Sequence, residues 1–257
     1  MLLRVRRDTD MLMKALLPLL AALALNLAPA MAAEKGDKKS GKQPAEPAAL
    51  PKPDAEGFLP LFNGRSLAGF VQVGGHAKYR VEDGQIVGQC VPNTPNSFLC
   101  TERHYTNFIL EVEFKVSPTL NSGIQIRSRY YDHPQTYEWQ GKTINVAAGR
   151  VHGYQVEIDP SPRAWSGGIY DEGRRGWLND LKARPEAGKA FKQGEWNKFR
   201  VECRGDSIKT WINGVAGADL KDGYTPSGLI ALQVHGVGNK VELLEVRWRA
   251  IRVKELL

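Results

Sequence analysis

The chain has 257 residues, a hydrophobic content of 42% and a net charge of +7. Its basic residues are scattered among Glu and Asp, and no recognisable nucleic-acid-binding motif is present, so the composition argues against a nucleic-acid partner. Residues 57–257 are long enough to form one domain with a continuous core.

The first 56 residues are predicted to lie outside that domain. A charged start, an apolar run at 15–27 and small residues at 30–32 predict a secretory signal over residues 1–32. The run is too short to span a membrane comfortably, and no Cys follows it to carry a lipid anchor. Residues 33–56, rich in Lys, Pro, Ala and Gly, predict a disordered linker. We therefore expect an exported protein, periplasmic or extracellular, with no stable membrane span after cleavage. The oligomeric state stays open.

The remaining chain predicts strand after strand. Two tight hairpin turns are indicated by Asp83-Gly84 and Asn213-Gly214, since both pairs tolerate positive φ. Long alternating runs occupy residues 108–116 and 242–253. Helical periodicity occurs only around 178–190, where a proline limits any helix to a turn or two. This pattern predicts an all-β jelly-roll sandwich of two antiparallel sheets.

Three cysteines in an exported chain leave at least one unpaired. Cys90 and Cys100 flank a turn-rich segment, so we predict that they lie close enough to form a disulfide. Cys203 shares a strand face with Phe199 and Val201, which predicts a buried free thiol.

Three strands carry polar rows that alternate with apolar ones. Because successive side chains on a strand point to opposite faces, each polar row shares one surface. Any one such strand fits an ordinary sheet with a wet outer face, but the repetition favours the floor of a polar cleft. The polar residues are Gln125, Arg127, Gln155, Glu157, Asp159, Gln233 and His235.

Aromatic side chains lie near these strands, in loops or at strand ends. Aromatic rings beside polar side chains are typical of a ligand-binding cleft. The expected substrate contacts are Gln125, Gln155, Gln233, Tyr137, Trp165 and Tyr170.

The chain resembles the 3-keto-disaccharide hydrolase family, whose fold is similar to the concanavalin A-like glucanases and lectins. The matching segments follow in the expected order and together cover nearly all of residues 57–257. They are 57–67, 121–127, 153–159, 167–170, 195–197, 211–214, 228–233 and 246–251. The resemblance implies an exported enzyme that cleaves glycosides whose sugar carries a ketone at C3. The apolar face of such a sugar could stack on the aromatic rings named above while its hydroxyls reach polar neighbours.

A C3 ketone acidifies the C2 hydrogen, so the glycosidic bond can break by proton removal and expulsion of the C1 substituent, followed by hydration. Such a site needs a base, an oxyanion stabiliser and an acid. Glu157 or Asp159 can supply the base, Arg127 or His235 can stabilise an enolate, and the second carboxylate or a histidine can act as the acid. The alternative mechanism is direct hydrolysis, in which two carboxylates flank the glycosidic bond. The Cα atoms of Glu157 and Asp159 are expected to lie about 7 Å apart along the strand, and this distance does not decide between elimination and direct hydrolysis.

Two further alternatives stay open. A divalent metal could be bound by Glu157, Asp159, His235 and His152, although no HExxH or paired-cysteine spacing supports it. A non-catalytic carbohydrate-binding module of the same fold is the other alternative, because fold alone does not fix function.

Overall fold

The structure, a computed structural model, describes residues 52–257. The predicted signal segment and residues 33–51 of the predicted linker lie outside the described residues. Within the linker's last residues, Asp54 accepts a hydrogen bond from the Phe58 amide and pairs with Arg252, so tertiary contacts already occur before residue 57. In the described part of the chain, no helix is long and apolar enough to cross a membrane.

Seventeen strands and one short helix make up this part of the chain. In chain order they are β1 Leu59–Pro60, β2 Phe70–Gly74, β3 Lys78–Glu82, β4 Gln85–Gln89, β5 Ser97–Thr101, β6 Phe108–Val116, β7 Ser122–Arg129, β8 Gln135–Trp139, β9 Lys142–Val146, β10 His152–Ile158, β11 Ile169–Glu172, β12 Gly176–Asn179, α1 Pro185–Lys189, β13 Asn197–Arg204, β14 Ser207–Ile212, β15 Val215–Lys221, β16 Leu229–Val234 and β17 Glu245–Glu255.

The strands form two large antiparallel sheets. The first has the order β15-β14-β13-β6-β17-β4-β3, with β1 paired to β17, and the second has the order β12-β11-β10-β7-β16-β5-β2. Strands β8 and β9 form a separate hairpin. The structure thus confirms the predicted all-β, concanavalin A-like jelly-roll sandwich.

The core lies between the inner faces of the two sheets. Every second residue of β6, from Phe108 to Val116, is buried there, as the alternation predicts. Asp83 and Gly84, with φ of 47° and 72°, make the tight turn between β3 and β4. Asn213-Gly214 turns β14 into β15 in the same way. The single helix is limited to five residues, as predicted.

The predicted disulfide is wrong. All three cysteines are free and buried. Cys90 packs in the core between the sheets, whereas Cys100 packs with Phe98 and Leu229 on the outer face of the second sheet. The turn-rich segment therefore joins strands of different sheets rather than placing two neighbours side by side. Cys203 is a buried free thiol, as predicted.

Candidate functional site

The outer face of the second sheet carries two rows of residues in direct cross-strand register. One row runs from β10 to β2 through Glu157, Gly123, Gln233, Phe98 and Val73. The next runs from β11 to β2 through Tyr170, Gln155, Gln125, Ala231, Cys100 and Val71. The face therefore changes from polar at β10 to apolar at β5 and β2.

Three buried glutamines form a hydrogen-bonded chain on this face. The Oε1 atom of Gln155 accepts from Nε2 of Gln125 at 2.6 Å and from Nε2 of Gln233 at 2.8 Å. Because this oxygen accepts twice, the amide of Gln155 must point its nitrogen the other way, where Nε2 donates to Oε2 of Glu157 at 2.7 Å. The chain thus directs the nitrogen end of the Gln155 amide towards the carboxylate of Glu157.

Glu157 is the carboxylate at the end of this chain. It is 4% exposed, and its second oxygen accepts from Nδ2 of Asn121 at 2.7 Å. Burial raises the pKa of Glu157 above its ordinary value, and the two amide donors counteract only part of that rise. A carboxylate with a raised pKa is a stronger base, so this environment suits proton abstraction.

An arginine follows the strand and reaches back to the same carboxylate. Nη2 of Arg163 lies 3.5 Å from Oε1 of Glu157, and its Nε donates to Oδ2 of Asp159 at 2.8 Å. Oδ1 of Asp159 accepts the Ser161 amide at 3.1 Å. Both carboxylate oxygens of Asp159 are thus engaged, and its position indicates that it orients the arginine.

A cleft of about 240 Å³ opens beside Glu157. Its lining includes Tyr170 and Trp177, which meet edge to face with ring centroids 5.2 Å apart. Burial raises the pKa of Tyr170, so its hydroxyl stays protonated and can donate a hydrogen bond. Trp165 packs edge to face against Trp177. The Arg163 guanidinium lies 4.6 Å from the ring centre of Trp165. The cleft therefore has an aromatic wall on the β11–β12 side.

His235 lines the same cleft just beyond the end of β16. Its Nδ1 lies 2.7 Å from the carbonyl oxygen of Gly236. A carbonyl only accepts, so Nδ1 carries the proton and Nε2 is the nitrogen left for other partners. Nε2 accepts a proton in the neutral ring and donates one in the imidazolium.

Gly123 makes the glutamine chain possible. A Cβ atom at this position would lie 2.6 Å from both Cγ and Cδ of Gln155. The backbone of β7 is therefore bare where the side chain of Gln155 crosses it.

The prediction that Arg127 projects into this cleft is wrong. Between the pairs Leu229–Ser128 and Ala231–Gln125, β7 has two residues where β16 has one, and Arg127 has a φ of 45°. This bulge reverses the alternation, so Ser128 takes the outer face and bonds to Gln125. The fully buried guanidinium of Arg127 instead donates to the carbonyls of Thr106 and Gly205 and to the side chain of Asn107, all in or beside the first sheet.

Tyr137 also lies away from Glu157. Its hydroxyl bonds to Nε2 of His152 at 2.7 Å, and Nδ1 of that histidine bonds to the Arg150 carbonyl. His152 starts β10, five residues before Glu157, which places the two about 16 Å apart along the strand. The four expected metal ligands therefore do not converge. Across residues 52–257, no group of three or more His, Cys, Asp or Glu side chains is arranged to hold a metal ion.

The structure thus brings together most, but not all, of the expected site. The predicted residues at or beside the cleft are Gln125, Gln155, Glu157, Asp159, Trp165, Tyr170, Gln233 and His235. The sequence reasoning missed Asn121, Arg163, Glu172 and Trp177, which also line the cleft. Asn121 begins one of the segments that carry the family resemblance, and Arg163 lies four residues after Asp159, so both could have been included.

A profile of the 3-keto-alpha-glucoside-1,2-lyase-like domain family matches residues 57–254. The chain belongs to this family. A 3-keto-disaccharide hydrolase from Bacteroides thetaiotaomicron is 29% identical in an alignment 162 residues long, and the match covers 58% of this chain and 53% of that protein. The chain thus spans about half the length of this curated relative.

Solved structures resemble this family member in fold. One is a candidate glycosyl hydrolase from Parabacteroides distasonis, with a TM-score of 0.51 and 21% identity over 79% of this chain and 95% of that one. Another is a Bacillus subtilis protein of unknown function with a galectin-like fold, with a TM-score of 0.50 and 11% identity over 74% of this chain and 90% of that one. At these identities the likeness concerns the sandwich alone.

Proposed function

We propose that this domain cleaves 3-keto-glycosides by removing the C2 proton of the keto sugar, with Glu157 as the base. The observation that carries the proposal is a buried carboxylate of raised pKa, fixed by two amide donors and facing a cleft with an aromatic wall. Membership of a 1,2-lyase-like family and a relative named for 3-keto-disaccharide hydrolysis support this choice of substrate.

In the first step, Glu157 takes the proton from C2, and the electron pair of that bond forms an enolate with its charge on the C3 oxygen. Arg163 is the nearest cation to Glu157, and it replaces Arg127 as the group that stabilises this charge. Because Asp159 holds the guanidinium, the arginine is oriented before the substrate arrives.

In the second step, the enolate collapses. The C3 carbonyl forms again, a C1=C2 double bond appears, and the bond from C1 to the glycosidic oxygen breaks. His235, as the imidazolium, gives its Nε2 proton to the leaving oxygen. Water then adds to the double bond: its oxygen bonds to C1 and gives one proton to neutral His235, while C2 takes a proton from Glu157 after that carboxyl has exchanged with solvent. Both side chains thereby return to their starting states, and elimination followed by hydration gives the same free 3-keto sugar as hydrolysis.

The proposal is tested by incubating the purified protein with a 3-keto-disaccharide and with its unoxidised parent, and measuring released sugar. We expect only the oxidised substrate to be cleaved. Glu157→Gln should abolish turnover, whereas Glu202→Gln, on the outer face of the first sheet, serves as the matched control and should retain it.

Two outcomes would overturn parts of this proposal. Normal turnover by Glu157→Gln would remove Glu157 as the base. Binding of sugars without cleavage of any substrate would favour the carbohydrate-binding module instead. A parallel reaction with a chelator tests the alternative that a divalent metal is used, and loss of activity that added metal restores would show that an ion takes part.

A further inference from the structure

A second, larger cavity adjoins the Glu157 cleft on the same sheet face. It has a volume of about 670 Å³, and Glu172 lines both cavities. Its lining is largely apolar or glycine, with side chains from Val73, Phe98, Ala148 and Val151.

The cross-strand register places this cavity in line with the base. Phe98 and Val73 belong to the same row as Glu157, and Phe98 lies three strands away, about 14 Å. Gln233, between them, is fully buried and lines neither cavity, whereas Glu172 lines both. Because Tyr170 and Trp177 line the β11–β12 side of the cleft, a substrate can extend from the polar cleft past Glu172 towards the apolar cavity.

The loop between β9 and β10 forms part of the cavity wall. Val151 is buried against Phe98, Leu229 and their neighbours on the outer face. Arg150 donates from Nη2 to Oε1 of Glu172 at 3.3 Å, which ties the loop to the strand shared by both cavities. On the opposite side, the Asn96 side chain, which lines the apolar cavity, accepts the amide of Gly236, next to His235. Hydrogen bonds thus connect residues that line the apolar cavity to residues that line, or adjoin, the Glu157 cleft.

We infer that the apolar cavity binds the leaving group, and that the preferred substrates are 3-keto-glycosides whose C1 substituent is an apolar or aromatic alcohol. This inference rests on the proposed function. The keto sugar occupies the polar cleft, where carboxylate, amide and arginine groups meet its oxygens. The apolar substituent extends past Glu172 and lies against Phe98, Val73 and Val151, where burial of its surface contributes binding free energy.

The test compares phenyl and methyl 3-keto-glucosides of the same anomer. Ala148→Asp places a carboxylate in the apolar cavity, and Ala147→Asp adds the same charge at the neighbouring exposed position, outside the cavity lining. We expect Ala148→Asp to lower the ratio of kcat/KM for phenyl over methyl substrate by about tenfold, which corresponds to losing burial of part of a ring. Ala147→Asp should leave the ratio within about twofold, within the usual scatter of a surface change. Because the ratio compares variants on the same two substrates, the better chemical leaving ability of phenol cancels.

A ratio that is unchanged in Ala148→Asp would overturn the inference while leaving the proposed function intact. If the wild-type protein cleaves neither of these substrates nor a 3-keto-disaccharide, the proposed function fails, and calorimetric titration with the same two compounds still decides the inference. Tighter binding of the phenyl compound that Ala148→Asp removes would support the apolar subsite, and equal binding of the two compounds would refute it.

Discussion

Substitution of Gly123 by alanine tests whether the glutamine chain controls the base. The new methyl group would lie 2.6 Å from Cγ and Cδ of Gln155 and 2.9 Å from its Nε2 atom. Ordinary carbon contacts are about 3.5–4.0 Å, so the side chain of Gln155 must move by about 1 Å. Its hydrogen bond to Glu157, 2.7 Å long, would then exceed hydrogen-bonding distance.

Two quantities should change. Overpacking at a buried site costs about 1–3 kcal/mol, so the free energy of unfolding should fall by about that amount. A displacement of about 1 Å in a catalytic constellation can reduce turnover about 100-fold, so kcat/KM for a 3-keto-disaccharide should fall by about that factor. Gly123 itself offers no side chain to a substrate, which makes the loss specific to the repositioned glutamine and carboxylate.

The assay measures urea unfolding and initial rates of sugar release on the same preparations. Gly223→Ala is the matched control, since its added methyl would lie 3.7 Å from the nearest atom, the Cβ of Asp206, in ordinary contact. It should be close to wild type in both measurements. A folded Gly123→Ala protein with wild-type kcat/KM would refute the role of the glutamine chain.

Further predictions concern charge, stability, thiols and the N-terminal segment. Asn121→Ala removes a donor that lowers the pKa of Glu157, so the acidic limb of the pH profile of kcat/KM should move to higher pH; an unmoved limb would exclude Glu157 as its origin. Arg127→Met should lower the free energy of unfolding by about 3 kcal/mol in urea titrations, because buried oxygens lose charged donors, and a loss below about 1 kcal/mol would contradict its structural role. Thiol titration of denatured, unreduced protein should find three free thiols, and a count of one would show that two of the cysteines form a disulfide. Mass spectrometry of secreted protein should find an N terminus near residue 33, as the signal prediction requires.

The fold and much of the cleft could be predicted because alternation survives along regular strands. Gln155 and Glu157 on β10, and Gln233 on β16, face outward as the period of two requires. The turns at Asp83-Gly84 and Asn213-Gly214 were recoverable for a similar local reason, since few residue pairs adopt two successive positive φ angles.

The errors arise where local regularity ends. Alternation puts Arg127 beside Gln125, but one additional residue in β7 turns it away, and no feature of the sequence marks that bulge. The disulfide prediction failed because Cys90, just after β4, packs in the core, whereas Cys100, in β5, packs on the outer face of the second sheet. Sequence spacing carries no information on this placement. Arg163 was missed because a loop brings it back to Glu157 through Asp159, a contact that depends on the turn at Ser161.

The central claim is that the C2 proton is removed during cleavage, and a reaction in heavy water tests it most directly. A 3-keto-disaccharide with protium at C2 is cleaved in deuterium oxide, and the product formed early in the reaction is examined by nuclear magnetic resonance. Product incubated with the Glu157→Gln protein is the control for spontaneous exchange at C2. We predict that the C2 protium is lost in each turnover, leaving either a C1=C2 double bond or deuterium at C2. Released 3-keto sugar that keeps its original C2 protium would contradict the mechanism and indicate direct hydrolysis.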